Sequence, residues 1–141
     1  SSREAEALTS ALRLEHTTVF AYDAIDRAGH LDGPLREALA RLRRHEAAHA
    51  EAVAKALGEL GYPLPDPPDR LDQVAIPEVR AALEGLDGRP AALALLADLE
   101  ELSVDAYRAA IGRLRDARHI QLAATILAAE ATHLVLWRAV R

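Results

Sequence analysis

The chain has 141 residues, enough for one domain with a genuine hydrophobic core; half are hydrophobic, chiefly Ala and Leu, and only 4% are aromatic. Its formal net charge is -5 with the signs interspersed, so no basic stripe supports nucleic-acid binding. The absence of Cys excludes disulfides, thiolate zinc sites, iron–sulfur clusters and cysteine nucleophiles together.

Ala, Leu, Glu and Arg are strong helix formers and β-branched runs are scarce, so an all-α fold is expected. The first helix is expected at about 4–29, with Leu8, Leu12, Val19, Tyr22 and Ile25 on one face and Gly29 as the stop signal. The second is expected at about 34–61, with Asp32 as N-cap and Pro34 in the first turn. Next comes "YPLPDPPDRLDQVAIP", rich in Pro and Asp, which is no helix interior. It opens a connection over 62–89 in which a short helix around 78–85 fits. The third and fourth helices are expected at about 90–115 and 118–140, with a tight break near Asp116. No uninterrupted apolar run approaches the roughly 18–20 residues of a membrane span, so none is expected. The chain has no Met, which points to a processed or trimmed product; a cytoplasmic and an exported location both fit.

The two helix pairs repeat each other. "LEHTTVFAYDA" at 14–24 matches "LEELSVDAYRA" at 99–109, pairing Glu15 with Glu100, Tyr22 with Tyr107 and Thr18 with Ser103. "HEAAH" at 45–49 matches "AEATH" at 129–133, pairing Glu46 with Glu130 and His49 with His133. The offsets are 85 and 84 residues, close enough for one duplication. A helix advances about 100° per residue, so Glu15 and Tyr22 share a line, and Glu46 and His49 share a face. Each helix therefore presents a carboxylate within an apolar stretch, and two add an imidazole. Four such acids in one core would be heavily penalised unless divalent cations neutralised them.

One Glu from each of two helices plus E-x-x-H from each of the others resembles the ferritin-like superfamily, on the rubrerythrin-like side, as in small bacterial ferritin-like domains. The resemblance covers nearly the whole chain: helix order, crossover position and six ligand types. It implies a left-handed four-helix bundle over 1–141, with one long crossover between the second and third helices. It also implies that Glu15, Glu46, His49, Glu100, Glu130 and His133 bind two metals, with Glu46 and Glu130 bridging. Tyr22 and Tyr107 would sit beside the cluster, bonding ligand carboxylates or donating electrons.

"HEAAH" also reads as the H-E-x-x-H zinc-protease helix. That reading needs a third protein ligand and a substrate cleft, and the repeat has Ala129 where His45 stands, so the repeated unit is E-x-x-H. Glu101 competes with Glu100 as the ligand of the third helix. His16, His30, His45 and His119 have no partner in the other repeat and are expected at the surface or rim, with His45 open to a role behind the ligands. Arg41, Arg43 and Arg44 read as a solvated face.

Histidine and carboxylate ligation without sulfur suits iron or manganese and does not exclude zinc. The leading expectation is a di-iron oxidoreductase that oxidises ferrous iron or reduces O2 or peroxide. It would draw on an external electron donor, because these residues include no Cys from which to build an electron-transfer centre. A homodimer is compatible with this. The competing expectation is a structural or binding bundle, metal-stabilised or metal-free, without turnover. Without metal the buried acids are expected to hold protons, with histidine protonation opposing any further gain in stability at low pH.

Overall fold

The computed structural model describes residues 2–141, and all the regular structure among them is helical. The helices are α1 (Ser2–Ala28), α2 (Gly33–Glu59), α3 (Pro77–Glu84), α4 (Arg89–Ile111) and α5 (Ala117–Val140), with a 3-10 turn at Leu71–Gln73. α1 stops at Gly29, whose φ of 73° suits a residue without a Cβ and whose N–H bonds the Asp26 carbonyl at 3.1 Å. Asp32 takes the N-cap position of α2, but its side chain makes no capping bond; Pro lies in the first turn as expected. Asp116 is a working cap, accepting the Arg118 N–H at 2.8 Å. α4 ends at Ile111, four residues short of the expected 115, as the chain turns at Gly112. Leu114 extends the apolar period past that break, and it is buried from the turn instead.

α1 packs chiefly on α2 and α4 chiefly on α5, and the two hairpins meet along α1–α4 and α2–α5. α3 lies against α1 and α4, and the connection drives Val74 and Val79 into the core. A connection this long is thereby ordered by apolar burial.

Two apolar layers fill the bundle. One gathers Tyr22, Ile25, Leu39, Leu96 and Trp137; the other gathers Leu8, Leu12, Val53, Leu57, Tyr107 and Ile126. Along α1, α2 and α5 the switch from one layer to the other brackets Glu15, Glu46 and Glu130. A polar belt thus divides the core.

α5 is the one helix among the described residues with the length and composition of a span, Ala117–Val140, with a mean hydropathy of 1.4 over its most apolar stretch, a test that a bundle's core helix also passes. An unbroken apolar run is not needed for this, because Ala and Thr interspersed with few charges give the same average. Within the bundle a third of that stretch is buried, and Glu130 and His133 on the same helix are buried too.

Candidate metal centre

Glu15, Glu46, Glu100 and Glu130 come from four different helices and are all 0% exposed, which decides that they form one buried belt and not four surface charges. Their oxygens and the two histidines form two overlapping groups: Glu15, Glu46, His49 and Glu130, and Glu46, Glu100, Glu130 and His133. In each group, ligand-type atoms all lie within 4.8 Å of one another. Glu46 and Glu130 belong to both, which is the placement bridging carboxylates require.

Both histidines turn Nδ1 toward the acids. His49 Nδ1 lies 2.7 Å from Glu130, 3.4 Å from Glu15 and 3.7 Å from Glu46. His133 Nδ1 lies 2.9 Å from Glu46, 3.6 Å from Glu100 and 3.8 Å from Glu130. Glu100 occupies the cluster, whereas Glu101 is exposed and pairs with Arg138 at 3.4 Å. All six sequence-expected residues are brought together.

The tyrosines are buried at the belt but differ. Tyr22 Oη donates to Glu100 Oε1 and accepts from Trp137 Nε1 at 2.9 Å. Tyr107 Oη has no hydrogen-bond partner. Trp137 was missed by the sequence reading, although the chain's sole Trp, four residues after His133 on the same helix, was an available signal.

Electrostatics make the metal-free belt a proton store. Burial, with Glu46 beside it, raises Glu15 to about 8 against the pull of His49. Burial likewise raises Glu100 and Glu130. Burial also pushes Glu46 up, but hydrogen bonds from His133 and His49 outweigh it and hold this carboxyl at about 2. Burial opposes charge on His49 and His133, yet their carboxylate partners raise both to about 9. Histidine protonation therefore favours the fold, contrary to the expectation that it would oppose stability at low pH: a base raised in the folded state stabilises that state when protonated.

The histidines and Tyr22 do not satisfy the belt. Glu15 Oε1 and Oε2, Glu46 Oε2, Glu100 Oε2 and Glu130 Oε2 are all buried without a hydrogen-bond partner. Buried carboxylate oxygens are normally paired, and five orphaned lone-pair donors around one centre fit hard divalent cations. The zincin pairing is not what the ligand groups contain: among the described residues they include His49 and His133 but not His45, whose Nδ1 lies 3.1 Å from His133 Nε2.

One surface assignment is corrected and one is refined. His119 is buried, with Nδ1 3.3 Å from Glu4, because Glu4 also accepts the backbone N–H groups of Arg115 and Asp116 at 2.8 and 2.9 Å and so ties the α4–α5 turn to the start of α1. Arg41 and Arg44 are exposed as expected, and the half-exposed Arg43 engages Asp23 through two nitrogens at 3.0 and 3.2 Å, joining α2 to α1 at the surface.

A family model described as the ferritin-like domain matches residues 3–141. Among solved structures, a conserved hypothetical protein from Mycobacterium tuberculosis superposes with a TM-score of 0.82 at 21% identity, covering 99% of this chain and 90% of that one. No curated protein matches the chain in sequence.

Proposed function

The chain belongs to the ferritin-like domain family, and from that premise we propose that its polar belt is a di-iron centre of the rubrerythrin-like kind, which oxidises ferrous iron or reduces O2 or peroxide. The observation that carries this reading is the set of five orphaned buried carboxylate oxygens shared between two overlapping ligand groups. Glu15, Glu46, Glu130 and His49 would hold one ion, and Glu46, Glu100, Glu130 and His133 the other. Bound iron would supply one-electron redox chemistry between its ferrous and ferric states; manganese suits the same donors.

The protein's own contribution is positional. The apolar layers on either side exclude bulk water and keep the carboxylates converged. Tyr22 orients Glu100 by donating to it, and Trp137 fixes the tyrosine hydroxyl in turn. His49 is the ligand most open to solvent, at 15% side-chain exposure, so only a molecule as small as O2 or peroxide could approach the centre without unpacking the bundle. The chain has no Cys, so reducing equivalents would come from an external donor. A cleft of about 230 Å³ between α1 and α2, lined by Tyr22, Asp23, Asp26, Arg43 and Arg44, is a place where such a donor could come near Tyr22.

Anaerobic loading with ferrous iron, metal analysis and an optical spectrum after exposure to air test the proposal. Iron near two per chain, with a near-ultraviolet ferric band growing on oxidation, is expected. A bundle that binds zinc alone, or binds iron without oxidising it, is instead a metal-stapled structural module, an alternative favoured by the fact that the centre joins all four long helices.

A further inference from the structure

The two ligand groups are related by the internal repeat, yet their surroundings are not. At the position of His45 in α2, the matching residue of α5 is Ala129. His45 sits on the exposed rim, with Nδ1 3.1 Å from His133 Nε2 and its ring nearly parallel to that of His133, 5.3 Å between centroids and 20° between planes. His133 thus carries a contact on the nitrogen that points away from the acids. No hydrogen bond engages the corresponding nitrogen of His49 among the described residues.

The carboxylates follow the same division. Glu100, grouped with His133, accepts from Tyr22, which is held by Trp137. Glu15, grouped with His49, has no hydrogen bond to either oxygen, and the nearby Tyr107 hydroxyl is also unpartnered. The side chain of His133 is 5% exposed and that of His49 15%, so solvent reaches the Glu15–His49 group more readily.

We propose that His45 is a positioning residue that makes the two metal positions unequal: the Glu100–His133 position is tight and fills first, and the Glu15–His49 position is looser, fills second and faces solvent. This rests on the di-metal reading above. The chemistry is directional. If His133 gives its Nδ1 lone pair to a cation, its proton is on Nε2, and that N–H donates to His45 Nδ1. A ligating imidazole held in one tautomer and one orientation loses less freedom on binding and is a better base. With Ala129 in the equivalent place, no such partner is supplied to His49.

The test is an anaerobic titration of metal-free protein with Mn2+, the free ion counted by its electron paramagnetic resonance signal. Wild type should bind two equivalents in resolved steps, differing by about tenfold or more in affinity. His45→Ala should weaken the first step by roughly 10- to 100-fold and leave the second within about twofold. His45→Gln, which retains an acceptor, should recover part of the loss. His49→Ala should remove only the weaker step, and His133→Ala the tighter one. Because His45 is exposed, its variants should melt within a few degrees of wild type without metal, which separates a site effect from misfolding. Two equal steps in wild type, or a His45→Ala titration that changes both steps or neither, overturns the inference while leaving the di-metal reading standing. No Mn2+ bound by wild type overturns both.

Discussion

The bundle buries acid and histidine together in two places, with opposite outcomes. At its end, Glu4 pairs with His119 and takes backbone N–H groups from Arg115 and Asp116, bonds that hold its carboxyl below the usual range. At its middle, four glutamates and two histidines leave five carboxylate oxygens with no hydrogen bond. At the end site the Glu4 carboxylate is answered by the chain's own N–H groups and the atoms left without a hydrogen bond are the two ring nitrogens of His119, whereas at the middle they are carboxylate oxygens. Residue type alone does not mark a metal centre; the surplus of unanswered lone pairs does.

Four experiments break or sharpen that contrast. The largest effect is expected from Glu46→Ala, which removes a group common to both ligand sets. Wild type at Mn2+ about a thousandfold above its dissociation constant should gain roughly 4 kcal/mol of stability per filled position, and Glu46→Ala should gain little or none in thermal melts. Glu51→Ala, on the exposed side of α2, should behave as wild type.

Glu4→Ala should cost about 1–3 kcal/mol, the scale for hydrogen bonds to a charged group, in urea unfolding. It should leave the metal-induced stabilisation intact. A lost metal response in this variant would mean that the two sites are not separate.

The pH dependence of the metal-free protein should divide the same way. Glu15 is raised from 4.5 to about 8, so its contribution is complete below pH 4.5 and is lost as pH climbs toward 8. His49 and His133, raised from 6.5 to about 9, lose theirs between those values. Glu4 is lowered, so its contribution is present above its ordinary pKa of 4.5 and disappears as pH falls through the folded value. Glu46, held at about 2, adds to this acid-side loss. Stability should therefore decline from about pH 5 to 9 in wild type, and Glu4→Ala should alter only the acid side. A flat alkaline limb in urea midpoints would remove the proton store.

The smallest effect belongs to Trp137→Phe, which deletes the donor to Tyr22 Oη while filling most of the volume. About 1 kcal/mol of stability should be lost from the missing hydrogen bond, with both metal equivalents still bound.

The helices and the six central residues were legible because helical period and a polar repeat are local signals: Glu46 and His49 share a face wherever the helix lies. Glu101 stayed a competitor of Glu100 until the structure placed it at the surface beside Arg138. What could not be read depended on packing between distant segments. Trp137 meets Tyr22 only because the two side chains, from α5 and α1, reach across the core at one height, and His119 is buried where Glu4 reaches across to the α4–α5 turn. Leu114 imitated a further helical turn because a buried loop residue satisfies the apolar period as well as a helical one. α5 reaches a span-like mean hydropathy for a related reason: small uncharged residues raise the average without forming a run.

The central claim is that cations replace protons in the belt, and proton release measures this directly. Weakly buffered metal-free protein at pH 7, titrated with Mn2+ under a pH indicator, should release roughly three protons per chain, one each from Glu15, His49 and His133, with more if the raised Glu130 also ionises. Glu46→Ala should release far fewer at the same metal concentration. Stoichiometric Mn2+ binding with no proton release would contradict the account, because the belt would then hold no protons for the metal to replace.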